Sequence, residues 1–166
     1  LTPADSNRES IRLRGTHASN VVNVLGDALV GIATNDPSDT ATLNLNAFAG
    51  TINLGIGVTL KNAIVGSDTH AANLQLWNGV ASGGVLNLVQ GEVKSYGAGT
   101  IPTVDQKGGL FVDGSTGTTV THTAQSGATM RMVGGAKTIT TLNLGGLLDL
   151  TEMTGALTVT NFNVID

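Results

Sequence analysis

The chain has 166 residues, a formal net charge of −4, 12% charged residues, 3% aromatics and no cysteine. That length suits one domain. The acidic balance argues against a nucleic-acid binder, which needs a basic face to displace counterions. Without cysteine there is no disulfide framework and no thiolate metal site. No run reaches the roughly 18 apolar residues of a membrane helix, and the first residues carry no signal-peptide h-region.

In chain order, residues 1–39 differ from the rest. Arg8, Arg12 and Arg14 are three of the eight Lys and Arg residues, and the segment ends in Asn35-Asp36-Pro37-Ser38-Asp39, a turn or linker signal. Residues 1–39 are predicted to be an N-terminal arm or cap. Its three arginines are the candidate partner-binding residues. The best helix candidate, Val21 to Ile32, is interrupted by Gly26 and Gly31 and rich in Val, a poor helix former.

From residue 40 a short unit recurs: a small or β-branched residue, Leu or Ile, a polar residue, then Leu or Val. It appears as Thr42-Leu43-Asn44-Leu45, Thr51-Ile52-Asn53-Leu54, Asn73-Leu74-Gln75-Leu76 and Val85-Leu86-Asn87-Leu88. Later copies are Thr141-Leu142-Asn143-Leu144, Leu147-Leu148-Asp149-Leu150, Ala156-Leu157-Thr158-Val159 and Asn161-Phe162-Asn163-Val164. The two apolar positions lie two apart, so both face one side of a strand and the polar residue faces the other. Short strands separated by Gly-bearing turns are a solenoid pattern. Three strands to a coil of roughly 20 residues predict about six coils over residues 40–166. Leu, Ile, Val and Ala suit such a thin, layered interior better than a thick globular core, which would use large aromatics. The rival fold, an antiparallel β-sandwich or jelly roll, expects hairpin turns, and only Asn78-Gly79 and Asp113-Gly114 qualify.

No segment carries a catalytic or cofactor signature. Gly134-Gly135 before Lys137-Thr138 resembles a phosphate loop only superficially, because Ala136 and Arg131 occupy its glycine positions. Gly55-Ile56-Gly57 lacks the third glycine of a dinucleotide fingerprint. Asp149 and Glu152 are spaced as a carboxylate pair could be, although outward carboxylates ordinarily serve solubility. His17, His70 and His122 are far apart for a metal site. Thr-x-Thr pairs such as Thr119-Val120-Thr121 and Thr121-His122-Thr123 could order water if stacked, but their spacing is irregular. Trp77 and Tyr96 could anchor an interface, form a sugar platform or fill a coil. The expectation is therefore no catalytic, cofactor-binding or metal residue and no cofactor.

The Leu-Asn-Leu rungs, Thr/Gly/Asn-rich turns and absence of cysteine resemble right-handed parallel β-helix proteins. The size and charged N-terminal segment are most similar to trimeric phage capsid decoration (cement) or tail-associated proteins. The resemblance implies a non-enzymatic virion component that packs as a homotrimer, docks its arm on a capsid or tail protein, and binds neither nucleic acid nor membrane. Alternatives in the same pattern are a tail module that binds or depolymerises carbohydrate, and a fragment of an adhesin from the bacterial cell surface.

Overall fold

The computed structural model describes residues 11–36, 38–80 and 83–166, apart from the side chains of residues 17–19. Among these, sixteen strands alternate strictly between two eight-stranded sheets. The first sheet takes β1 (Ile11–Leu13), β3 (Leu29–Thr34), β5 (Gly50–Leu54), β7 (Ala72–Leu76), β9 (Gly91–Ser95), β11 (Leu110–Asp113), β13 (Thr129–Gly134) and β15 (Leu147–Met153). The second takes β2 (Thr16–Val24), β4 (Thr40–Ala47), β6 (Val58–Val65), β8 (Val85–Leu88), β10 (Ile101–Gln106), β12 (Thr119–Ala124), β14 (Lys137–Leu144) and β16 (Leu157–Val164). Every strand pairing is parallel. The fold is a parallel β-solenoid, not a sandwich.

Two expectations change in detail. There are about eight coils rather than six, because strands β1 to β3 join the same sheets as the later ones. Each coil holds two strands rather than three. The expected coil length holds: column partners Ile32, Leu54, Leu76, Ser95, Asp113 and Met132 follow one another at 18 to 22 residues. The segment Val21 to Ile32 forms the end of β2 and most of β3. Glycine and β-branched residues there lose less in strands and corners than in a helix.

The alternation of the sequence becomes the core directly. In β4, Ala41, Leu43, Leu45 and Ala47 are buried, while Thr42, Asn44 and Asn46 are not. Parallel pairing in register then stacks like on like. One column runs Leu45, Ala63, Leu86, Val104, His122, Leu142, Phe162. Its neighbour runs Ala47, Val65, Leu88, Gln106, Ala124, Leu144, Val164. Each fully buried aliphatic contributes about 1.5–3 kcal/mol, so a single coil is too small to stand alone and stacking supplies the stability.

On the outer face of the second sheet the polar residues also stack. Asn46 donates to Asn23 at 2.8 Å, Asn62 to Asn44 at 3.1 Å, Asn143 to Thr123 at 3.0 Å, and Asn163 to Asn143 at 2.8 Å. Amides one coil apart satisfy each other along the rod. At the corner after the first sheet, Gly79, Gly99 and Gly117 pack backbone on backbone, and a Cβ on any of them would overlap the adjacent coil.

Candidate functional site

The interior of the later coils departs from an aliphatic column. Asp113, Ser115, Thr119 and Lys137 are all buried. Asp113 Oδ1 accepts from the Ser115 amide at 3.0 Å and the Ser115 hydroxyl at 2.7 Å, and Thr119 donates to Oδ2 at 3.4 Å. The Lys137 ammonium lies 3.8 Å from Asp113 Oδ1 and donates to the Ser115 carbonyl. The carboxylate thus closes a tight turn and meets a buried counter-charge. Such a pair is costly to break and weak evidence of net stabilisation. The Asp-x-Ser/Thr turn recurs at Asp36 with Ser38 and at Asp149 with Thr151.

A second polar group lies at the other end of the second-sheet strands, where Gln106 pairs with Ala124. Gln106 donates its amide hydrogens to the Gly109 and Thr129 carbonyls at 3.0 and 2.9 Å. That orientation aims Oε1 at His122 Nε2, 2.9 Å away. The oxygen can only accept, so Nε2 carries the imidazole proton. Phe111 meets the ring edge-on, with centroids 4.9 Å apart. His122 is fully buried, and Nδ1 has no partner among the described residues. Burial pushes the imidazole down to about 3, so it is neutral at physiological pH. These groups have no exposed face and serve the coil interior.

The carboxylates singled out from sequence do converge, but on a cation. Arg131 Nε lies 2.8 Å from Asp149 Oδ2, and Arg131 Nη1 lies 3.4 Å from Glu152. Hydrogen bonds from Thr151, then from Arg131, hold Asp149 down at about 2. It is ionised throughout the neutral range and unsuited to act as a general acid. His70 and His122 stay apart: His70 contacts Thr69 Oγ1 at 2.8 Å in the corner after β6, and His122 is internal; the side chain of His17 lies outside the described residues. Among the described residues no three potential ligands gather for a metal.

Gly134 and Gly135 form a corner between β13 and β14, and Lys137 beyond them is buried, out of reach of a phosphate. Gly55 to Gly57 is likewise a corner, between β5 and β6. Thr121 and Thr123 face outward in register with Thr103 and Asp105 on one side and Thr141 and Asn143 on the other. Asp and Asn therefore interrupt the threonine array, and Thr119 is buried. Of the candidate partner-binding arginines, Arg8 lies outside the described residues. Arg12 is on β1, and its Nη1 donates to the Thr34 carbonyl at 3.0 Å; Arg14 follows β1 directly. Trp77 and Tyr96 fill no coil: Trp77 is 48% exposed and stacks on Tyr96.

By its fold the chain belongs to the class of parallel β-solenoids. Comparison with family models, curated proteins and solved structures finds no match. The buried polar groups escaped the sequence reading, although period 2 gave one clue. His122 lies between outward Thr121 and Thr123, which makes it inward. Nothing local marks Lys137 as internal.

Proposed function

We propose that the chain is a non-enzymatic structural protein of a virion, a capsid decoration or cement protein that acts as a homotrimer. The observation that carries this reading is the surface of the rod. Its outer faces hold polar side chains in register coil after coil, with exposed apolar residues such as Leu29, Val120 and Leu147 set among them. A neighbouring protein lying along the rod meets the same contact repeatedly, whereas among the described residues a small substrate meets no converging acid, base and nucleophile. The layered core of stacked coils suits a load-bearing element. In this reading Arg12 and Arg14, at the start of the first coil, stand with Arg8 as the positive charges that meet an acidic capsid or tail surface.

Sedimentation velocity and native mass spectrometry on the purified chain test the assembly. The expected species has about three times the 16.8 kDa protomer mass. A monomer at all concentrations up to about 100 μM, far above the Kd of ordinary stable assemblies, overturns the homotrimer.

A further inference from the structure

The corner that follows the first sheet carries the chain's single Trp and single Tyr together. Their ring centroids are 4.9 Å apart and their planes 30° apart. On its Tyr96 side this stack is bounded by glycine. Gly114, in the next coil, sits so close to Tyr96 that a Cβ there would lie 3.2 Å from the ring. The two aromatics thus stack one coil apart, with Trp77 left half-exposed. A solvent-exposed indole costs hydrophobic free energy that nothing in the coil's own packing recovers.

The residues that follow these aromatics wall a groove of about 530 Å³ running across four coils. Trp77 leads into Asn78 and Gly79, and Tyr96 leads towards Gly99 and Thr100, all of them lining residues. Thr42 and Thr59 supply hydroxyls from the strands alongside. Gly57, Gly79 and Gly99 add no side chain to the lining. No lining residue carries a charge.

We infer that Trp77, Tyr96 and this groove form a binding site for an uncharged polysaccharide, with a sugar ring on the indole and the neighbouring units along the groove. A pyranose offers an apolar C–H face and a rim of hydroxyls. The first suits an amphipathic aromatic platform, and the second suits threonine hydroxyls, an asparagine amide and exposed backbone. The absence of any cation in the lining, on a chain of net charge −4, disfavours an acidic glycan. A groove that repeats from coil to coil matches a ligand that also repeats. This reading does not rest on the proposed homotrimer, so failure of one proposal leaves the other standing.

Trp77 is its own reporter, because it is the sole source of indole fluorescence. The intact chain is titrated with malto-, cello-, xylo- and chito-oligosaccharides and, as the charged contrast, oligogalacturonate. The expected result is a saturable change in emission with at least one neutral series and none with the acidic one. By calorimetry, Trp77→Ala weakens that sugar about tenfold, the scale of losing an aromatic anchor, while Trp77→Phe retains most of the affinity. Circular dichroism establishes that both variants keep the fold, as an exposed side chain allows. No saturable response from any neutral series at millimolar sugar overturns the site. So does a preference for the acidic series, or unchanged affinity in a folded Trp77→Ala variant.

Discussion

Replacing His122 with Leu separates the acid sensitivity of this solenoid from its general stability. In the folded chain the imidazole is neutral and takes up a proton only near pH 3, whereas a histidine in the unfolded chain does so near 6.5. Between those values the unfolded state binds the extra proton. Stability therefore rises with pH across the window, is complete above about 6.5, and is lost as pH falls. The slope approaches about 1.4 kcal/mol per pH unit below the unfolded value. From pH 6.5 to 4.5 the wild type should lose about 2 kcal/mol, a window that lies above the titration of most carboxylates. Leucine suits the column, since the in-register neighbours of His122 are Val104 and Leu142. The variant leaves Gln106 Oε1 without its donor, at a cost of about 1–3 kcal/mol at neutral pH. Urea unfolding at pH 7, 5.5 and 4.5 reads both effects: a lower midpoint for the variant at pH 7, and convergence with the wild type as the pH drops. Parallel pH dependence in the two proteins would refute the buried neutral imidazole.

Two further outcomes follow from the packing. Gly99→Ala forces a methyl onto the Gly79 backbone of the preceding coil and should cost several kcal/mol or prevent folding, whereas Gly26→Ala, with open space around the site, should change thermal stability by no more than about 1 kcal/mol. Equal melting temperatures for the two variants would contradict the glycine column. Lys137→Met strands the Asp113 carboxylate in the interior and should destabilise by about 3–5 kcal/mol in denaturant titrations. Adding Asp113→Asn should recover part of that loss, and a double variant no better than the single would place the lysine outside the pair.

Much of the architecture was legible in local pattern. Units such as Thr42-Leu43-Asn44-Leu45 specify strands with one apolar face, because side chains alternate with period 2. Their repetition with glycine between them implies coils. The number of strands in a coil was not legible: a corner and a short bend leave the same Gly and Asn signature, and only the pairing of β5 with β7, bypassing β6, shows that two strands complete a turn. Trp77 and Tyr96 are 19 positions apart in the chain, and nothing near either of them states that this distance is one coil.

The sequence by itself determined that the chain forms strands, which face of the early Leu-Asn-Leu units points inward, and that the core is thin and largely aliphatic. These are consequences of alternation, felt within a few residues. Only the tertiary structure decided which coil lies on which. That register set Asp113 against Lys137, His122 against Gln106, and Trp77 upon Tyr96, because each contact depends on coil length summed around a complete turn.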